Sequence, residues 1–174
     1  MDKQTFLDTL HGERAQWDAQ VAQVSEKQMT QPGFAGEWSL KDVIAHIAVY
    51  EEWAANEIQR ALRGEQPEWD PKLTEVSNDE RNARLYEQQR GRSLSDTLAF
   101  SRRTYQQLVE AIQALSDEEF KSTDGLGGRL HPFWAGRPLW KGLVGNAYEH
   151  YQEHTPDLKA WLSGQAETGK THSP

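Results

Sequence analysis

Cysteine is absent from all 174 residues, which excludes disulfides, thiolate metal ligands and a cysteine nucleophile. That lack fits a reducing compartment. Long apolar runs are missing as well: none approaches the roughly 20 residues that a membrane-spanning helix needs. The opening residues, Met1-Asp2-Lys3-Gln4-Thr5-Phe6, are charged and hold no signal-peptide apolar stretch. The expectation is a cytoplasmic protein with no membrane partner. Positive charge is also scarce. Lys and Arg number 19 against 27 Asp and Glu, a formal net charge of −8. Such a surface repels a phosphate backbone, so general nucleic-acid binding is not expected. The pair Arg102-Arg103 is too short to make a basic patch. No segment shows the alternation of a half-buried strand, and no internal repeat is present.

What the chain does have is helical periodicity. Phe6, Leu7, Leu10, Trp17, Val21 and Val24 form an apolar stripe over about residues 3–24. Ser25-Glu26-Lys27-Gln28 reads as a capping box opening a short helical turn. Pro32-Gly33-Phe34-Ala35-Gly36 then breaks the chain. A second long helix starts at Ser39, an N-cap with Asp42 three residues on, and stops near Arg63 before Gly64. Residues 65–76, with Pro67, Trp69, Asp70 and Pro71, read as a long crossover. A third helix covers about Asn78 to Leu115, interrupted at Arg90-Gly91-Arg92 and recapped by Ser93. Ser116-Asp117-Glu118-Glu119 is another helix start. Residues 121–138 are irregular. Gly125-Leu126-Gly127-Gly128 within them lacks the spacing and preceding strand of a dinucleotide fingerprint. The last helix runs from about Leu139 to Leu162, with a kink or a fresh start capped by Thr155 expected at Pro156. Four long amphipathic helices with one long crossover predict an all-α, four-helix bundle. The domain covers residues 1–163, and residues 164–174 read as a disordered tail.

Histidine carries the chemistry. His150 and His154 are four apart, so they share one helix face. Both lie within about 60° of the centre of the apolar stripe Leu143, Ala147, Tyr151, Leu158 and Trp161. Two inward imidazoles each need a donor and an acceptor when buried, and two imidazolium charges would repel. A shared metal ion answers both demands, and a buried polar network is the competing answer. His46 lies on the flank of the second helix's stripe (Leu40, Val43, Ile44, Ile47, Ala54, Ile58), beside Tyr50 and Trp53. Its value is as a third ligand: three histidines leave an open position, the pattern of a catalytic metal. His11 is expected in solvent, His131 in a loop and His172 in the tail.

Gly36-Glu37-Trp38-Ser39-Leu40-Lys41-Asp42-Val43-Ile44-Ala45-His46, followed by Tyr50-Glu51-Glu52-Trp53, resembles the W-S-x-K-D-x-x-x-H signature of the DinB/YfiT-like superfamily. His150-Tyr151-Gln152-Glu153-His154 looks like its H-x-x-x-H helix. The middle, Asn82 to Arg90 and then Ser93 to Leu98, is similar to the ClbS/DfsB-like branch. The likeness covers roughly residues 5–162. It implies a four-helix bundle, often dimeric, with a divalent metal on His46, His150 and His154. It also implies activities such as thiol-dependent transfer or isomerisation. The ClbS branch implies an alternative, a metal-independent hydrolase that opens a genotoxin's cyclopropane, or a sequestering resistance protein.

With no cysteine, any reacting thiol must be a low-molecular-weight cosubstrate. Three imidazoles suit zinc, nickel, iron or copper. Glu51 falls within its helix's apolar stripe, where it is a candidate general base or a partner to a histidine. Tyr50, one turn after His46, is a candidate proton donor. Trp53, Arg129, His131, Trp134 and Arg137, with Trp140, are candidates for substrate binding, as a lid with aromatic and anion-binding walls. Seven tryptophans in so polar a chain serve core packing or an aromatic pocket, and with the resemblance they suggest a homodimer. The expected function is a metal-dependent transferase or hydrolase acting on a small electrophile, in detoxification or stress response. The third reading is a non-catalytic, stress-related binding protein.

Overall fold

The computed structural model describes residues 1–66, 75–131, 134 and 136–170. Serine opens most of the helices. Asp2 caps α1 (Lys3–Val21) by accepting the Thr5 N–H. Ser25 closes a capping box on α2 (Glu26–Met29). Ser39 caps α3 (Leu40–Leu62): its Oγ accepts the Asp42 N–H, and Asp42 Oδ2 accepts the Ser39 N–H at 2.9 Å. Ser77 opens α4 (Asn78–Gln89), Ser93 opens α5 (Leu94–Ala114), and Ser116 opens α6 (Asp117–Lys121). Each side-chain oxygen satisfies an amide that the first helical turn leaves without a partner. The interruption expected at Arg90-Gly91-Arg92 is therefore real, with Ser93 restarting the chain as a separate helix. The expected crossover at 65–76 falls largely outside the described residues.

The last helix differs from the expectation. It does not run continuously from Leu139. A short α7 (Leu139–Leu143) passes into a 3₁₀ turn at Val144–Asn146, Ala147 breaks the path at φ −130° and ψ −120°, and α8 covers Tyr148–Lys170. Gly142 and Gly145 weaken the helix here. Gly142 also leaves room for the Trp134 ring, because a Cβ at this position would stand 2.7 Å from Trp134 Cε3. At the other end α8 runs on through Pro156, so Thr155 opens no new helix. The proline removes the N–H that would bond the Gln152 carbonyl, and Gln152 is exposed, so water can take its place. The helix passes Leu162, where the sequence pattern ended it, while residues 171–174 lie outside the described residues.

Four long helices form the bundle, with α3 packed along α5 and α1 along α8. Their facing stripes make the core: Phe6, Leu10 and Trp17 from α1, Ile44, Ile47 and Ile58 from α3, Phe100, Leu108 and Ile112 from α5, and Tyr151 and Leu158 from α8. Burial of such side chains contributes roughly 1.5–3 kcal/mol each. Phe120 from α6 packs edge-on against Phe6, 5.4 Å between centroids, closing one end. Among the described residues there is no strand, and no helix is long and apolar enough to cross a membrane. Trp17 and Trp134 are fully enclosed by this chain, so they need no second subunit to cover them.

Candidate metal centre

Helix α4 matters for the site although it is mostly polar. It buries one residue, Leu85, and packs against α3. Lys41 Nζ donates to the carbonyls of Arg90 and Arg92 at 2.8 and 3.2 Å, a cation satisfying carbonyls where the helix ends. Tyr50 Oη on α3 donates to Asn82 Oδ1 at 2.8 Å. The Tyr86 ring stacks on Trp38, 5.2 Å between centroids and 12° from parallel. These ties lay α4 over the flank of α3 that carries His46, which is only 9% exposed.

Under that cover the three predicted histidines meet. His46 Nε2 and His150 Nε2 are 2.9 Å apart. One nitrogen from each of His46, His150 and His154 lies within 4.8 Å of the other two. His46 Nδ1, His150 Nδ1 and His154 Nε2 are buried and have no hydrogen-bond partner among the described residues. Burial pushes His46 down to about 4, helped by His154. His150 is lowered well below the usual range by burial, then by His46 and His154, and burial lowers His154 as well. Three neutral imidazoles with converging nitrogens are a donor set suited to a divalent cation, so these residues fit a metal ion.

Aromatic rings wall the cluster. Trp38 and Tyr50 approach His46 edge-on at 5.5 and 5.0 Å, and Tyr50 stands 5.1 Å from His150. Burial raises the Tyr50 hydroxyl above its ordinary value. A narrow cleft beside His46 is lined by Asp42, Leu85, Tyr86 and Gln89, and an open groove that reaches Lys41 and Arg90 shares Asp42 and Tyr86 with it. Trp38, Asn82 and Tyr86 lie in the stretches that carry the family resemblance but are not among the site residues expected from sequence. Trp38 stands just before the N-cap, and the α4 residues sit in a segment with almost no apolar signal.

The other candidates divide. Trp53 meets Trp134 at 5.6 Å, and Glu57 Oε2 accepts the His131 N–H at 3.1 Å. His46, Tyr50, Trp53 and Glu57 thus descend one face of α3 at helical spacing, with His131 and Trp134 at its lower end. Burial lowers His131 and raises Glu57. Trp134 is 1% exposed, a packed ring at the base of this face. Arg129 turns away, its Nε donating to the Leu126 carbonyl at 2.7 Å, and Arg137 is exposed. Glu51 points to the other side of α3. It is fully buried, accepting from Thr104 Oγ1 at 3.0 Å on Oε2 and from Tyr151 Oη on Oε1. No contact joins it to a histidine among the hydrogen bonds of the described residues.

Solved structures with the same architecture cover almost the whole chain. The Sibling Lethal Factor Precursor DfsB superposes with a TM-score of 0.76 at 15% identity, over 95% of this chain and 97% of that one. The colibactin self-resistance protein ClbS, solved in complex with a double-stranded DNA, gives 0.73 at 13% identity, over 91% and 94%. An uncharacterised protein from Escherichia coli UTI89 gives 0.76 at 14% identity, over 95% of each chain. At such identities the likeness establishes the fold. No functionally curated protein matches the chain. Residues 10–140 match the mycothiol maleylpyruvate isomerase N-terminal domain family. That stretch includes His46 and ends before α8, so the positions of His150 and His154 rest on the geometry above. The chain is a member of the mycothiol maleylpyruvate isomerase N-terminal domain family, within the DinB/YfiT-like superfamily.

Proposed function

We propose that His46, His150 and His154 hold one divalent ion, zinc, nickel or iron, and that the protein is a metal-dependent transferase or hydrolase. Its substrate is a small electrophile, and a low-molecular-weight thiol is the cosubstrate of the transfer reaction. The setting is detoxification or stress response in the cytoplasm. The observation that carries the reading is the convergence of three neutral imidazoles, His46, His150 and the half-buried His154, one nitrogen of each lying within 4.8 Å of the other two. When bound, such an ion would polarise a substrate oxygen or lower the pKa of a bound thiol. The chain's own residues do the rest. Trp38, Tyr50 and Tyr86 exclude water around the histidines and offer ring faces to an apolar substrate. Tyr50 keeps its proton at neutral pH, and its hydroxyl, bonded to Asn82 at 2.8 Å, would act as a general acid by exchanging that bond for one to a substrate oxygen. The DNA partner of ClbS is not carried over, because a net charge of −8 opposes a phosphate backbone.

A second reading has its own support. The 2.9 Å contact between the two Nε2 atoms also suits a metal-free pair in which one imidazole donates to the other. The full-length likeness to ClbS keeps a metal-independent, resistance-type hydrolase as its companion activity. Metal retention separates the two. Untagged protein is loaded with Zn(II), Ni(II) or Fe(II), desalted and analysed by atomic emission. The expected result is close to one ion per chain, lost in both His46→Ala and His154→Ala. Wild-type protein that retains none of these ions overturns the metal reading and leaves the metal-free pair.

A further inference from the structure

One buried polar network lies outside the histidine cluster and joins all four long helices. Arg14 of α1, 6% exposed, donates from Nη1 to Tyr151 Oη of α8 at 3.0 Å and to the Ser101 carbonyl of α5 at 3.4 Å. Its Nε bonds Asp18 at 2.8 Å. Tyr151 Oη, fully buried, donates in turn to Glu51 Oε1 of α3. Thr104 of α5 donates to the other Glu51 oxygen at 3.0 Å, with the Ser101 carbonyl 3.2 Å away as its alternative acceptor. Trp17 packs 6.1 Å from the Tyr151 ring. Buried groups of this kind are weak evidence for stability. What they do well is fix direction, because hydrogen bonds depend steeply on geometry.

The element whose direction matters is the start of α8. His150 is its third residue, and the helix follows the break at Ala147. Alanine has no side-chain acceptor with which to cap a helix. The rotation of this first turn must therefore come from tertiary contacts. Tyr151, next to His150 and three residues before His154, provides a fully buried, hydrogen-bonded one outside the histidine cluster, whereas the Gln152 bond to Glu13 at 2.8 Å lies at the exposed surface. On a helix of radius about 2.3 Å, small rotations move side-chain tips by an ångström or more, enough to spoil convergence of three imidazoles.

We infer that Tyr151, held between Arg14 and Glu51, is a positioning residue that sets the rotation of α8 and so aligns His150 and His154 with His46. This rests on the metal reading above. Tyr151→Phe keeps the ring and its packing but removes both hydrogen bonds. Glu51→Gln keeps them in kind: Tyr151 donates to the amide oxygen, the amide N–H donates to Thr104 Oγ1, and the Thr104 hydroxyl turns to the Ser101 carbonyl.

The test is competitive Co(II) titration of the full chain against a chelator, with the visible absorption of the bound ion as the readout of ligand geometry. Tyr151→Phe is expected to weaken Co(II) binding by about tenfold or more, the usual effect of losing a group that orients metal ligands, and to shift the absorption bands. Glu51→Gln is expected to bind with the wild-type spectrum. Ile112→Val, a core change on α5, controls for stability loss alone and should leave affinity and spectrum unchanged. The inference is overturned if Tyr151→Phe matches wild type in both readouts, or if Ile112→Val loses as much. It is also overturned if Glu51→Gln loses as much as Tyr151→Phe. Should Tyr151→Phe fail to fold, Thr104→Val replaces it, with a smaller loss expected in the same direction and none overturning the inference. A wild-type protein that binds no Co(II) defeats the metal reading itself, an outcome distinct from all of these.

Discussion

The carboxyl of Glu51 sets a measurable pH dependence. Burial pushes it from its ordinary 4.5 to about 7, against the pull of Tyr151, Arg14 and Thr104 in the other direction. In the unfolded chain this group releases its proton near pH 4.5, and in the folded chain near 7. Between those values the folded protein holds a proton that the unfolded one has lost, so raising the pH draws the equilibrium toward unfolding. Below 4.5 both states are protonated and nothing is lost, and above 7 the loss is constant. At about 1.4 kcal/mol per pH unit across the gap, the whole effect is about 3 kcal/mol. That is a sizeable share of the roughly 5–15 kcal/mol that holds a domain together.

Glu51→Gln removes the titration and, by the donor exchange through Thr104, leaves no buried polar atom stranded. Urea unfolding followed by far-UV circular dichroism, with chelator present so that no metal stabilises either protein, gives the free energy at each pH. The histidines contribute equally to both proteins and cancel in the difference. The stability of Glu51→Gln relative to wild type should rise by about 3 kcal/mol between pH 4.5 and 7 and then level off. A difference that stays flat from pH 4.5 to 8 would refute the reasoning, since it would mean that Glu51 ionises alike in both states.

The histidines act with the opposite sign. His46 falls from 6.5 to about 4, so below pH 6.5 the unfolded state takes up a proton that the folded state refuses, and stability present above 6.5 is lost as the pH falls toward 4. His46→Gln should flatten the acid limb of the metal-free stability curve by about 3 kcal/mol; parallel limbs in the two proteins would sink this. Gly142→Ala should destabilise by about 1–3 kcal/mol, although alanine is the better helix former, because the added Cβ would press on Trp134 Cε3 at 2.7 Å. Unchanged urea unfolding would show that the Trp134 ring has room to move.

The sequence was informative where local chemistry decides. Ser39, Ser93 and Ser116 marked helix starts because a cap needs only its own next three residues. The pair His150 and His154 was legible as one face because their spacing belongs to any helix. The break at Ala147 was not legible, since it goes with the packing of Trp134 against Gly142, a contact between segments of an irregular loop and a helix. Nor was the partner of Glu51. Its position within an apolar stripe announced that it needed one, but the stripe says nothing of which facing helix supplies it. Arg14 stood in the same situation on α1, between Leu10 and Trp17, and the two anomalies answer each other through Tyr151.

His46 shows why the flank of a stripe is hard to read. Its angle from the apolar centre of α3 fits a residue at the edge of the core, exposed unless something covers it. The cover is α4, whose sequence from Asn78 to Gln89 has so little apolar content that it buries Leu85 alone. What holds α4 down is polar or aromatic: Lys41 on its terminal carbonyls, Asn82 under Tyr50, and Tyr86 on Trp38. Such ties have less apolar burial behind them than the core helices do. Two of these ties, Lys41 to Arg90 and Tyr86 on Trp38, border the narrow cleft at His46 or the wider groove that shares Asp42 and Tyr86 with it. A polar helix therefore excludes water from the histidines through a few polar and aromatic ties rather than through a broad apolar face.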